Sequence, residues 1–569
     1  MGTTMIHRRN ETTRRTTLLL ALLLGMTGCA LPGRFMRGYA EAEPSEMELL
    51  EDGGAYEDAP AHDRGQVRFV FDAFGSLSTD ALRKSAIPWK LLVAALALDR
   101  QETDGAPLTL ATGYAAFEEH GFVRPRRIAN WEGPQPRLER PLGVVSGVAH
   151  RGFPSVELEI AALGCTTCHA GPVYGPDGRP TGDVWLGAPN ASMDLSGFGR
   201  TVTEALERQL PRPDAVLDAV TRLYPDVTED EISVLRKHVL PGALEELTAQ
   251  IAERGHEPTF EHGGPGLMNG VGGLLSSMGM LGPEDAETQV AWMSPPDLSE
   301  TTLRKSLLVD ATYAPAGSDR FGPRTRADVA EEGLKAFSDM VTLFVLTTFS
   351  VEPEAARDQI EGVRDVVSYL DRMAPPPFPG PVDTALAARG EQLYRDACAS
   401  CHGTYSAGAR DARLLEHPNR FVAHDRMLTD SARWAAATPD MLGTLAGLGW
   451  EEQITPESFG GYVAPDLSGV WASAPYFHNG SVPTLWHVLS AEERPDRFMV
   501  GGHGLDYELM GIRGEVDDRG DYVYPEGYDP WSRPTLYDTS QPGRSNAGHE
   551  FPGLSDGQKR ALLEYLKVL

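Results

Sequence analysis

Cys165-Thr-Thr-Cys168-His169 and Cys398-Ala-Ser-Cys401-His402 decide how this chain is read. Both are C-x-x-C-H, the pattern of covalent haem attachment. Two thiols at that spacing add to the vinyl groups along one porphyrin edge. The next residue turns beneath the ring, where its imidazole ligates iron as the proximal ligand. Competing readings of a C-x-x-C pair ask for other things. A thioredoxin-type pair needs no adjacent His, and a structural zinc site needs four ligands gathered from elsewhere. The chain holds five cysteines, and four of them fall in these two pairs once Cys29 is set aside. The sequence therefore predicts two covalently bound haem c groups, with His169 and His402 as metal ligands.

Working outward from the second pair, Leu386 to Asp396 (LAARGEQLYRD) reads as a short helix with Gly390 and Tyr394 on one face. Lys559 to Leu569 (KRALLEYLKVL) places Leu562, Leu563 and Leu566 at helical spacing. A cytochrome c-like domain crosses two such helices around its haem, and a glycine permits the close approach. One haem domain is thus expected over 382–569. Ala374-Pro-Pro-Pro-Phe-Pro-Gly-Pro381 reads as a stiff linker, taken as 375–381. An enlarged N-terminal haem domain would then occupy 65–374.

At 569 residues the chain is long enough for at least two cores. Lys and Arg number 51 against 81 Asp and Glu, a net charge of −30. That balance argues against nucleic-acid binding, which needs basic surface. It suits a soluble exported protein and a cationic redox partner protein. The N-terminus reads separately. His7, Arg8, Arg9, Arg14 and Arg15 form a basic region before the apolar run Leu18 to Leu24, which is too short to span a bilayer permanently. Met26-Thr27-Gly28-Cys29 then resembles a bacterial lipoprotein signal, 1–29, with Cys29 lipidated. An ordinary cleaved signal is the plainer alternative. Membrane attachment would be through that lipid anchor alone, at the periplasmic side or cell surface of a Gram-negative bacterium, on its outer membrane.

The stretch 30–64 is acidic and poor in large apolar residues, as a flexible tether would be. The body is expected to begin near Gln66, with the apolar run Arg68-Phe-Val-Phe-Asp-Ala-Phe. Helical patches recur at Trp89 to Leu98, Thr203 to Gln209 and Thr228 to Val239, while strand-like alternation is scarce. With 60 Gly and 43 Pro, the fold class read from the sequence is mainly α with extensive coil. The haem unit is the only element read as recurring.

Further motifs carry a family resemblance. Gly164-Cys-Thr-Thr-Cys-His-Ala170 with Gly187-Ala-Pro-Asn190 resembles the first haem region of the rubber-oxygenase-like di-haem cytochromes, which stand with the bacterial di-haem cytochrome c peroxidases. Leu467-Ser-Gly-Val-Trp-Ala-Ser-Ala-Pro-Tyr-Phe-His-Asn-Gly-Ser-Val-Pro-Thr-Leu485 is similar to that superfamily's hallmark segment. Arg494-Pro-Asp-Arg-Phe498 and Ser545-Asn-Ala-Gly-His-Glu-Phe551 resemble the rubber-oxygenase branch. The resemblance covers roughly Pro141 to Leu569. It implies an oxidoreductase of peroxidase or oxygenase type. The first haem, on His169, would meet a small oxidant, H2O2 or O2, and the second, on His402, would pass electrons. The second would be closed by His549, with His478 and Met499 as alternatives. His256 and His262 are candidates for the first haem's distal side, and Trp292 for an aromatic relay between haems. A lipoprotein that only carries electrons, with both irons closed, is the rival function.

Overall fold

The run Trp89 to Leu98 forms the first half of a helix, Trp89–Asp104, in which Leu91 to Asp99 are all buried. A helix apolar on every side must be enclosed, and here it is the spine of an N-terminal core. Gly105, at φ 70°, ends it and donates its N–H to the Arg100 carbonyl. Helices Leu110–Glu118, Leu195–Gln209 and Pro213–Leu223 surround the spine. Phe117 joins their layers, its ring 4.5 Å from Phe198 and 5.6 Å from Trp89. This is a computed structural model; it describes residues 39–40, 58–71, 87–152, 155–254, 260–277, 286–348, 353–406 and 412–569. The signal region with Cys29 lies outside the described residues, as does His256.

The fold holds more sheet than its composition suggests. Strands Val144–Gly152 and Ser155–Leu163 pair antiparallel along their whole length. Val156, Leu158 and Ile160 are buried in the helical core between Glu157 and Glu159. That alternation has the period of a strand with one face inward. A second hairpin, Ala170–Tyr174 with Pro180–Leu186, follows His169 directly. The accurate description is helices with interleaved β-hairpins.

The expected tether ends earlier than 64. Tyr39–Ala40 pairs with Val148–Ala149, and a helix begins at Ala61, running to Phe71. Arg64 is fixed to Asp365 by hydrogen bonds of 2.9 and 2.6 Å. Gly65 lets this helix touch Ile360–Leu370, since a Cβ there would overlap the Asp365 carbonyl oxygen. These two helices belong to a second core that includes Cys165, Val271, Met340 and, from beyond the Pro-rich segment, Met441, Leu445 and Trp450. A third core carries Tyr394, Trp471, Phe498 and Leu562 together with Leu267, Trp292 and Leu303. Apolar packing thus crosses 375–381 in both directions. Among the described residues no helix is long and apolar enough to cross a membrane.

Candidate functional site

Each C-x-x-C-H sits on a tight helical turn. The N–H of His169 bonds the Cys165 carbonyl at 3.0 Å, and that of His402 bonds the Cys398 carbonyl at 3.0 Å. No disulfide joins these four cysteines. Burial pushes the Cys168 thiol up to about 12 and the Cys398 thiol up to about 11. In the first unit the Gly187-Ala-Pro-Asn190 segment clasps the turn. Gly187 N–H bonds the His169 carbonyl at 2.9 Å and Asn190 N–H the Cys168 carbonyl at 2.8 Å. Gly187 has φ 91°, and a Cβ there would overlap the Met373 sulfur.

In the second unit helices Thr384–Ala397 and Asp556–Leu566 cross as expected around Gly390. A Cβ at Gly390 would overlap the Ala561 carbonyl oxygen and lie 2.6 Å from its carbon. Buried Tyr394 on the same face donates its hydroxyl to the Gly403 carbonyl at 2.9 Å, directly after His402. The His402 ring presents Nδ1 to the Pro465 carbonyl at 2.7 Å. That bond puts the proton on Nδ1 and leaves Nε2 as the free donor atom, the state a metal-ligating histidine needs. Across from it stands His549, ring centroids 6.0 Å apart and planes at 84°. Two imidazoles holding one metal by bonds of about 2 Å would have centroids roughly 6 Å apart. The spacing therefore fits an ion between them.

His549 is held by its backbone as well as its ring. It adopts φ 49°, and its N–H bonds the Met427 carbonyl at 2.9 Å. Arg494 donates to the carbonyls of Asn546 and Gly548 at 2.6 and 2.8 Å. Phe551 packs edge-on against the ring at 4.7 Å and Phe477 at 6.0 Å. Burial, then the neighbouring His402 and Arg494, push His549 down to about 3, so its imidazole stays neutral. Its Nδ1 has no hydrogen-bond partner. The two alternatives are placed otherwise. His478 lies against Tyr462, ring centroids 4.3 Å apart, with its carbonyl accepting from Ser294 N–H at 2.7 Å. Met499 is in strand Arg497–Val500, its backbone paired with Leu536.

For the first unit the described candidates, His262 and Trp292, have partners of their own. His262 is buried; its N–H donates to Ser196 Oγ at 2.8 Å, and its Nδ1 accepts from Asn269 N–H at 3.3 Å. Burial pushes it down to about 4. Trp292 donates Nε1–H to the Glu261 carbonyl at 3.2 Å and carries the Arg544 guanidinium 4.6 Å from its ring centroid. It stands four residues before Pro296, whose carbonyl counteracts the burial that holds His169 at about 4. No hydrogen bond of regular geometry joins them, and His169 Nδ1 is without a partner. Among the described residues no aromatic or imidazole ring pairs with His169 as His549 does with His402.

Pro296 and Pro465 reveal a repeat that the motif reading passed over. Pro296-Asp-Leu-Ser299 and Pro465-Asp-Leu-Ser468 are identical tetrapeptides, and the likeness continues without a gap. Glu300 and Gly469 follow at φ 61° and 65°, Leu308 and Phe477 both at 67°, Ala311 and Gly480 at 57° and 67°. Short 3-10 turns Thr301–Leu303 and Val470–Ala472 match, as do the bridges Leu307 to Tyr313 and Tyr476 to Val482. The C-x-x-C-H imidazole of the second unit bonds the Pro465 carbonyl, and Pro296 stands at the equivalent position for the first. The signal was available as a repeated tetrapeptide, but the side chains around it diverge.

Residues 461–499, which contain the second copy of this turn, match the RoxA-like, cytochrome c-like family. The match supports a RoxA-like cytochrome c family for this chain and implies covalently bound haem c. The chain is 27% identical to the uncharacterized protein y4iJ of Sinorhizobium fredii over 490 residues, covering 72% of this chain and 77% of that protein. It is 32% identical to the uncharacterized protein y4iM of the same organism over 222 residues, 35% of this chain and 48% of that one. A RoxA-like cytochrome segment is consistent with an oxidoreductase, in electron transfer or oxygenation.

Proposed function

We propose that the chain is an exported di-haem c-type cytochrome oxidoreductase in which a first haem reacts with O2 or H2O2 and a second transfers electrons. Cys165, Cys168 and His169 would hold the first; Cys398, Cys401, His402 and His549 would hold the second. The observation that carries this reading is an asymmetry. His549 stands 6.0 Å from the His402 ring, whereas no ring faces His169 among the described residues. When bound, haem supplies an iron that exchanges single electrons and, where its sixth position is free, takes up a small oxidant.

The chain's own residues would do the rest. The Pro465 carbonyl fixes the tautomer and orientation of His402. Phe477, Phe551 and the backbone bonds of Arg494 hold His549 in place. On the first turn Leu308 and Val309 occupy the positions of Phe477 and His478, and the core around Cys165 is apolar. Trp292, which shares a core with Leu267 and carries the Arg544 cation over its ring, would serve as an aromatic relay. Cys29 would carry the lipid anchor on the periplasmic side or cell surface, and a cationic redox partner would suit the acidic protein.

Intact mass and electron paramagnetic resonance of the purified holoprotein test this, as isolated and after ascorbate, peroxide or oxygen. Two covalent haems, one high-spin or oxidant-reactive and one low-spin, are expected. Two low-spin, unreactive haems would refute the enzyme and leave an electron carrier.

A further inference from the structure

A buried ion pair holds the first of the repeated turns to helix Ala432–Ala435. Asp310 lies on the first turn, and its Oδ2 is 2.9 Å from Arg433 Nη1, both side chains only 2% exposed. Arg433 Nε also donates to the Met293 sulfur at 2.8 Å, one residue after Trp292. Three residues before Arg433, the Asp430 carbonyl accepts the Tyr462 hydroxyl at 2.6 Å, and the Tyr462 ring lies 4.3 Å from that of His478 in the second turn. The segment Asp430 to Arg433 thus contacts the first turn directly and the second through Tyr462, and the second packs Phe477 against His549.

Stability does not account for the pair. Taking two charges out of water costs several kcal/mol per ion, and an apolar replacement of similar size is often neutral or better. The pair is also imperfectly satisfied, since Arg433 Nη1 and Asp310 Oδ2 make no well-formed hydrogen bond. Nor does the turn require a charge. The equivalent residue of the second turn is the neutral Asn479, whose Nδ2 donates to the Gly543 and Ser545 carbonyls at 3.2 and 3.1 Å. A carboxylate with its own buried cation is thus specific to the first unit.

We propose that Arg433 is a positioning residue that ties the two turns together and, with Asp310, sets the difference in reduction potential between the two haems. This rests on the two-haem reading above. A buried cation favours the reduced, less positive iron and a buried anion the oxidised one. Removing each in turn must therefore act with opposite sign.

The experiment is a redox titration of the holoprotein followed by visible spectroscopy, on the wild type, Arg433→Met, Asp310→Asn, the double variant and Arg433→Lys. Arg433→Met is expected to lower the potential of at least one haem, and Asp310→Asn to raise that of the first. Each should change the sharing of an electron between the haems by about tenfold, or about 59 mV for a one-electron couple. The double variant should fall between the singles, and Arg433→Lys, which keeps the charge, should stay near wild type. Equal-sign shifts, or none, in protein that retains both haems would overturn the inference, because loosened packing would move both variants alike. If Arg433→Met does not fold, the near-isosteric Asp310→Asn decides alone: an unmoved or lowered potential overturns the proposal. A wild type with fewer than two haems would instead defeat the two-haem reading itself.

Discussion

Gly390→Ala tests the helix crossing that frames the second C-x-x-C-H, and two opposing effects must be weighed. Alanine is the better helix former, worth about 0.5–1 kcal/mol in a helix interior. The new methyl, however, would overlap the Ala561 carbonyl oxygen, lying 2.6 Å from its carbon and 2.9 Å from Tyr565 Cβ. Carbon atoms pack best at about 3.5–4.0 Å, so the helices must part by roughly 1 Å. What the methyl meets is largely backbone, so no rotamer change relieves it. Overpacking of this kind costs about 1–3 kcal/mol, and the net loss is about 1–2 kcal/mol. For a unit of 150–250 residues that is a fall in Tm of about 2–8 °C. Thermal unfolding of the holoprotein, read by far-UV circular dichroism and the haem absorption band, measures it. Gly557→Ala is the control: it lies in the partner helix Asp556–Leu566 with nothing within 4 Å of the added Cβ. It should be neutral or stabilising by up to about 1 kcal/mol. If Gly390→Ala melts at or above the wild-type temperature while the control behaves so, the close crossing is wrong.

Further outcomes are expected at other sites. His549→Ala should turn a low-spin haem signal high-spin, while His478→Ala leaves the spin state unchanged; the reverse pattern in electron paramagnetic resonance would move the ligand to His478. Gly187→Ala should destabilise the first unit by about 1–3 kcal/mol in thermal unfolding, because φ 91° strains any side chain there; Met373→Ala, which removes only the steric overlap, should not restore it. Acidification should weaken the fold. Burial holds His262, His487 and His503 at about 4, below the unfolded value of about 6.5. The unfolded chain then binds more protons as pH falls from 6.5 toward 4, and stability drops by up to about 1.4 kcal/mol per histidine per pH unit. Asp297, raised to about 7 by burial, opposes this as one group against at least these three. A urea midpoint that is flat or rising from pH 7 to pH 5 would refute that balance.

What could be read from the sequence was the local chemistry. The thiols and imidazole of C-x-x-C-H are contiguous, and the Gly390 crossing needs only a glycine and an apolar stripe on two short helices. The hairpin ending at Leu163 was legible in principle, since Val156, Leu158 and Ile160 alternate with glutamates, but the abundance of Gly and Pro suggested coil instead. The choice among His549, His478 and Met499 depends on which chain segment folds back over His402. His549 and His478 are both buried and held neutral, so residue type alone could not separate them. Arg433 carried no local signal, because its role depends on Asp310 and His478, far from it in sequence.

The repeat changes what needs explaining about the two units. If their turns differed in backbone, divergent chemistry could be assigned to shape. Instead Leu308 and Phe477 share φ 67°, and the short turns and bridges around them match. The difference must then come from side chains on a common frame: Leu308, Val309 and Asp310 against Phe477, His478 and Asn479. It comes also from what each unit sets opposite its imidazole. The second brings back Gly548-His549, whose backbone rests on Met427 and Leu428 at a glycine that tolerates no Cβ. The first has no such return among its described residues, and its added length includes helices between Leu195 and Arg254 that share a core with Trp89–Asp104. That extra mass forms a core of its own. The second unit is thus distinguished by the segment that returns Gly548-His549 to face His402.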